Sequence, residues 1–578
     1  MGQRFRATQV VLAAMSGGAM AAYGANALAQ VSVPSLSVSP IPRIAPPSPP
    51  RLGGALPAIP QGGPEVSLPE ISILVRSASI VGSTAFPPAK LNGIIAGLAG
   101  RNVPLQKLEA DRRAMVDLYR GHGYILSTVT LDVDARGNVR FIVTEGYITN
   151  VLLSADIGPA GTLVLGFLRH LTRERPLNEA ALERWLLLAQ QVPGVSLQAV
   201  LQSDNGDPGA LTLVAEVSRQ TVSGLVTADN RSFDESGPVE GLAVLDINSL
   251  TSLGEQTELS LYHTSGNTNN FGQVSESFFL GTSGLQLQLY GGAGRANPSG
   301  VLRLINYQSQ VSVFGGQLSY PLVLRRNQAL TARLRLDAEQ NTISAAGSVV
   351  STDSLRVARL SSEYVWQDLW TGNSRNALNI IEAQASQGLP ILGTSEDGRA
   401  SPPGGRTSAK FDFWKIAGSI SRVQPLFSPW PAAEVALRTE AGGQYSSVIL
   451  PSEEEFYLGG THFTRGYYSG QVVGDKAAYA TAELQLNTGT AFTLFRHEFD
   501  LGAQFYGFYD WGEVWSNLPT DLNHRVASVG GGARLGLTRD LELDGEVTHR
   551  LVTRLAPAST EVAPLSETTV YWGVTARF

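Results

Sequence analysis

The sequence predicts a transmembrane antiparallel β-barrel of about sixteen strands preceded by two small α+β modules. Three observations lead there. Apolar and polar residues alternate from Gln220 to Phe578, a strand-helix-helix-strand-strand order occurs twice between Ile71 and Arg219, and the N-terminus has the marks of an export signal.

The chain opens with MGQRFRATQVVLAAMSGGAMAAYGANALAQ, in which Arg4 and Arg6 precede a run of small and apolar residues. Ala27-Leu28-Ala29 fits the A-x-A cleavage pattern, so residues 1–29 read as a secretory signal peptide. Their removal takes away two positive charges and brings the net charge from −7 to −9 (−7 − 2). An acidic exported chain has no electrostatic footprint for nucleic acid. It also has 0 cysteines, which excludes disulfides as a source of stability.

Residues 30–70 carry a proline every few positions and no hydrophobic period, the composition of an extended linker. The pattern changes at Ile71. ISILVRSASIVG reads as a strand and PPAKLNGIIAGLAG as a helix. PLQKLEADRRAMVDLYRGHG reads as a second helix, with Leu105, Leu108, Met115 and Tyr119 near one face. YILSTVTLDVD and VRFIVTEG then alternate around a Gly137-Asn138 turn.

The same order follows in YITNVLLSA, TLVLGFLRHL, EAALERWLLLAQQ, VSLQAVLQ and ALTLVAEVSR, with Asn178 as the N-cap of the second helix. The expected modules are 71–146 and 147–219.

From 220 to 578 the helical period is gone. Leu285, Leu287 and Leu289 oppose Gln286 and Gln288, and Leu330, Ala332, Leu334 and Leu336 oppose Thr331, Arg333, Arg335 and Asp337. Leu541, Leu543, Val547 and Leu551 oppose Glu542, Asp544, Glu546, Thr548 and Arg550. Soluble sandwiches and propellers alternate too. An export signal, long alternating segments and the final TVYWGVTARF, with Val570, Trp572, Val574, Ala576 and Phe578 on one face, favour a membrane barrel. Lipid offers no hydrogen bonds, so such a sheet must close on itself.

Motifs for catalysis are missing from the sequence. The 7 histidines are scattered, and no metal-ligand spacing, G-x-S-x-G elbow or P-loop occurs. The expectation is a non-enzyme without cofactor or metal. The glycine cluster at 530–532 lies in strand context, where a crowded inner wall explains it. Arg465, in THFTRGYYSG, falls between two strand patterns and so lies on a loop. In AQFYGFYDWGEV, Gln504, Tyr506, Phe508 and Asp510 share one face, while Phe505, Tyr509 and Trp511 share the lipid-like one. Asp510 is therefore expected to face the lumen, where a guanidinium would complement it.

Two such modules before such a barrel resemble the POTRA domains and barrel of the TpsB family of two-partner secretion transporters, within the BamA superfamily. Thr464, Arg465, Gly466 and Tyr467 are similar to the family's V-R-G-F/Y motif at the tip of the sixth extracellular loop, with threonine in place of valine. Phe508 and Asp510 match its F/G-x-D motif on a later strand.

The resemblance implies that Arg465 folds into the lumen and pairs with Asp510, and that Phe578 serves as a sorting signal for the barrel-assembly machinery. It implies an outer-membrane protein of a Gram-negative bacterium with its POTRA domains in the periplasm. Its partner would be an unfolded exoprotein with an N-terminal secretion domain, and its transport would need no nucleotide. Residues 30–70 are too rich in proline for the plug helix that some members carry ahead of the first module. The competing readings are a barrel-assembly factor of the same superfamily and a passive porin or adhesin barrel.

Overall fold

The computed structural model describes residues 52 and 71–578, except 205, 371–373, 398–405, 462, 495–496 and 556–563. The expected signal peptide, and the linker apart from Leu52, lie outside the described residues.

In the first module β1 (Ser72–Val75) is followed by β2 (Ser77–Val81), α1 (Pro88–Asn92), β3 (Arg101–Pro104) and α2 (Leu105–Gly121), then β4 (Thr128–Val133) and β5 (Asn138–Thr144). The sheet order is β2-β5-β4, with β2 parallel to β5, and β1 pairs separately with β3. The strand expected over 71–82 is thus two strands. Arg76 breaks it, its N–H turned to the Gly137 carbonyl at 2.8 Å, and the two halves find different partners. The helix expected over 87–100 ends at Asn92 with Gly93 as its C-cap, and the turns that follow, with Gly97 and Gly100 at positive φ, lead the chain into β3 instead. Leu108, Met115 and Tyr119 of α2 are fully buried against Val139 and Phe141 of β5.

The second module contains β6 (Tyr147–Leu153), α3 (Pro159–Leu168), α4 (Glu179–Gln190), β7 (Val195–Ser203) and β8 (Ala210–Arg219), in sheet order β6-β8-β7. Asn178 caps α4, its side chain accepting from the Ala180 N–H at 3.0 Å. Phe167, Leu182, Leu186 and Leu213 close the core between helices and sheet.

Sixteen strands then form a closed antiparallel barrel. They run β9 (Val222–Asp229), β10 (Glu240–Asn248), β11 (Gln256–Thr264), β12 (Asn269–Phe279), β13 (Gln286–Ala296), β14 (Gln308–Arg325), β15 (Gln328–Ala345) and β16 (Ser348–Leu369). After β17 (Asn376–Gly388), β18 (Trp414–Phe427) and β19 (Ala433–Tyr445), a small hairpin of β20 (Phe456–Leu458) and β21 (Val472–Gly474) stands apart from the barrel sheet. The ring resumes with β22 (Lys476–Leu494), β23 (His497–Trp515), β24 (His524–Gly536), β25 (Leu541–Arg550) and β26 (Thr568–Arg577).

Alternation places Leu334, Leu336, Val547, Val570 and Trp572 outside, while Asp337, Glu546, Thr548 and Tyr571 are buried inside. At the seam, Leu225–Asp229 of β9 pair with Gly573–Arg577 of β26, and Phe578 exchanges backbone hydrogen bonds with Gly224.

The second module packs against turns at one end of the barrel. Arg184 of α4 donates to the Pro321 carbonyl at 3.1 Å and to the Tyr320 hydroxyl at 3.0 Å, and Arg326 donates to Glu183 at 2.7 Å. Phe167 meets Phe279 edge-on at 5.2 Å. The barrel mouth and the module therefore share one apolar and polar contact surface.

A carboxylate pins the first module. Glu145 accepts from the N–H groups of Thr84 and Ala85 at 2.8 and 2.9 Å, from the Thr84 hydroxyl and from Tyr119 Oη at 2.7 Å. Partial burial raises the Glu145 pKa, but these donors outweigh it and hold the carboxyl below its usual 4.5. A carboxyl depressed in the folded state stabilises above its unfolded pKa, and that contribution is lost as pH falls below about 4.5 toward the folded value. Glu145→Gln should cost about 1–2 kcal/mol and abolish this acid sensitivity of the first module, read by limited proteolysis of the full chain between neutral pH and pH ~4.

Candidate functional site

The connection between β19 and β22 is the longest-reaching feature of the interior. It leaves the eleventh strand of the ring, so it is the sixth connection at the end opposite the α+β modules. Instead of standing outside, it turns into the lumen. Gly459 and Gly460 make the turn with φ of 102° and 104°, and a Cβ on Gly459 would sit 2.0 Å from the Tyr468 carbonyl oxygen. Glycine is therefore required where the two legs of the loop cross.

Thr464 lies at φ 52°, an uncommon conformation for a β-branched residue. Its hydroxyl accepts from the Gly459 N–H at 2.7 Å and donates to the Phe463 carbonyl at 2.7 Å. A valine there could make neither bond, so the one departure from the expected motif has a local use.

Arg465 is 2% exposed. Its Nε and Nη2 donate to the two oxygens of Asp510, each at 3.0 Å, and its backbone N–H donates to the same carboxylate at 2.9 Å. Nη1 pairs with Glu483, and Nη2 also reaches Thr481 Oγ1 at 3.3 Å. Thr481 in turn donates to Asp510 at 2.5 Å, and Arg534 pairs with Glu483 at 3.2 Å. Two guanidinium groups and two carboxylates thus balance to zero in a cluster buried except at half-buried Arg534, the condition under which such charges are tolerated away from water. The guanidinium carbon of Arg465 lies 3.5 Å from the Phe508 ring centroid, and that of Arg534 lies 3.9 Å from the Tyr506 centroid.

The rest of the tip is fixed by its backbone. The Gly466 N–H donates to Ser528 Oγ at 3.2 Å, while its carbonyl accepts from Arg550 Nε and from Tyr571 Oη at 3.4 Å. Tyr467 is 1% exposed, with its hydroxyl 3.0 and 2.7 Å from the carbonyls of Ala527 and Val552. Below the tip, Phe463 stacks on Tyr479 at 4.2 Å.

The entrance to the loop is held by Asp475, which is fully buried. It takes Arg406 in two hydrogen bonds, at 2.6 and 2.9 Å, and also accepts from the N–H groups of Leu450 and Asn517.

The structure therefore brings Thr464, Arg465, Gly466, Tyr467, Phe508 and Asp510 into one place. Phe578 lies apart at the seam, 58% exposed, its ring against Gly224. Sequence reasoning missed Thr481 and Glu483, although Thr481, Glu483 and Gln485 alternate with Ala482 and Leu484 as a lumen face should. It missed Arg550 for a different reason, since an arginine on a polar strand face carries no mark of its partner. Among the described residues, no group of three or more His, Cys, Asp or Glu could hold a metal ion.

A closed barrel with an inward loop and α+β modules at one mouth defines a class of outer-membrane transporter. Residues 210–535 match the model of the family described as haemolysin secretion/activation protein ShlB/FhaC/HecB, and residues 63–146 match the ShlB-type POTRA domain. The first match covers more than half of the chain, which belongs to that family. The fold is shared with CdiB from Escherichia coli, at 17% identity and a TM-score of 0.70 over 90% of this chain and 94% of that one. It is also shared with CdiB from Acinetobacter baumannii, at 15% identity and a TM-score of 0.62 over 91% and 95%. No curated protein matches the sequence.

The packing of Gly466 gives a test of the site. A Cβ there would lie 2.8 Å from Ser528 Cβ, so Gly466→Val overfills the contact by about 1–3 kcal/mol. The expected outcome is a loop tip displaced from the wall in a folded barrel, seen as larger and more frequent conductance steps in planar bilayers.

Proposed function

We propose that the protein secretes an exoprotein partner across the outer membrane by two-partner secretion. Residues 71–146 and 147–219 act as tandem POTRA domains in the periplasm, and residues 220–578 form the conducting barrel. The modules take the partner's N-terminal secretion domain in an unfolded form, by adding a strand to an exposed sheet edge. The barrel then passes the extended chain outward, and folding of the partner outside supplies the drive without nucleotide hydrolysis. Phe578, at the barrel seam, serves as the signal by which the barrel-assembly machinery receives the protein.

The observation that carries this reading is the balanced cluster around Arg465 and Asp510. A diffusion pore or an adhesin has no need to hold an external loop inside its bore through a buried arginine, whereas a transporter of folded-state-incompatible chains needs a closed resting state. In this reading the loop is a gate, and Arg465 with Asp510 is its latch.

Arg465→Ala leaves Asp510 and Glu483 buried without their shared cation, and Asp510→Ala leaves the guanidinium with half its partners. Each should reduce secretion of the partner by about tenfold or more, by the cost of an uncompensated buried charge, while the barrel still folds. Quantifying the partner in culture medium and the heat-modifiable migration of the barrel checks both statements. Unchanged secretion in both variants refutes the latch. Deletion of the protein separates the reading from that of a barrel-assembly factor: loss of one large secreted protein supports transport, and a general loss of outer-membrane barrels overturns it.

A further inference from the structure

Loop six touches the barrel wall at a second place, before it reaches its tip. The turn Ser452–Glu454 presses against β15, β16, β18 and β19, whereas the Arg465 cluster lies on β22, β23 and β24. Glu454 is 2% exposed there. One carboxylate oxygen accepts from Arg359 at 2.6 Å, and the other accepts from Arg359 at 3.0 Å and pairs with Lys415 at 2.8 Å. Its backbone carbonyl accepts from Lys415 at 2.7 Å and from Gln444 at 3.1 Å. The neighbouring Glu453 accepts from Asn341 at 2.8 Å.

The wall groups are not equally provided for without the loop. Arg359 keeps Asp337, to which its Nε donates at 2.8 Å. Lys415, buried on the inner wall, keeps only Gln444, at 3.1 Å, among the described residues, because its other bonds to them go to Glu454. Withdrawal of the loop therefore removes the carboxylate partner of this ammonium, and losing that carboxylate with the loop still seated would leave a buried charge unpaired. The aromatic hairpin between the two contacts lies against β22 and β23, with Leu458 and Thr464 both beside Gly512.

We propose that Glu454 is a second latch of loop six, clamped by Arg359 and Lys415 and set independently of the Arg465 latch. The loop is then held at two stations on different parts of the ring, and opening one leaves the other closed. This rests on the reading of loop six as the gate of a transporter.

The chain contains 0 cysteines, so single cysteines report cleanly on the loop. Ser452→Cys marks the first station and Ser469→Cys the tip, each tested in the full-length protein on intact cells with a membrane-impermeant maleimide. Glu454→Gln should raise labelling of Ser452→Cys roughly tenfold, because it removes the counter-charge of Lys415, and change Ser469→Cys by less than about twofold. Lys415→Gln should act in the same way, and Arg465→Ala should do the reverse. Heat-modifiable migration identifies variants with a folded barrel.

Labelling of Ser452→Cys that stays unmoved in folded Glu454→Gln and Lys415→Gln proteins overturns the proposal. So does an equal rise at both probes in Glu454→Gln, which would make the two stations one. Secretion measured on the same variants bears on the gate instead: raised labelling with unchanged secretion removes the gate reading and leaves the second latch standing.

Discussion

Everything in this molecule follows from one constraint, that a strand in lipid has no water for its backbone. Sixteen strands satisfy each other only by closing into a ring, and closure divides every strand into an apolar outer set and an enclosed inner set. The inner set is then free to be charged. Asp337, Glu483, Asp510 and Glu546 could not face hydrocarbon, yet inside the ring each holds an arginine, and Glu483 and Asp510 fasten loop six through Arg465. The lumen is thus less a pore than a polar interior that happens to have no covalent core of its own, and loop six supplies part of that core.

The fastening uses opposite charge. Arg465 and Arg534 balance Asp510 and Glu483, and Arg359 and Lys415 answer Asp337 and Glu454. Such pairs contribute modestly to stability when formed but are costly when half broken. A loop held in this way has few intermediate positions. The geometry suits an element that steps between discrete positions more than one that drifts, and it explains how a hairpin only three residues long on each side can keep its place.

Much of the fold could be read because its signals are local. Alternation marks Leu334 and Leu336 as outward and Asp337 as inward without knowledge of any partner, and Asn178 announces α4 through its own side chain. What stayed hidden depends on distant partners. Arg76 interrupts a strand only because Gly137 lies beside it, and β3 exists only because β1 offers an edge. The same division holds for the site. The Arg465 and Asp510 positions stood out by motif and by strand face. Glu454, in a run of three glutamates, gave no sign of which would be buried, since Arg359 and Lys415 that select it come from other strands.

The glycines of β24 have an effect beyond packing. A Cβ on Gly530 would lie 2.6 Å from the Phe508 ring, and one on Gly532 would lie 2.6 Å from the Tyr506 hydroxyl. With those side chains absent, both rings lie flat along the wall, and each offers its π face to a guanidinium. Such a seat has nothing to protonate at the Phe508 ring and is set by the ring's quadrupole, unlike the carboxylates around it. The ring fixes where the guanidinium sits along the wall, and the Asp510 carboxylate fixes which way its donors point.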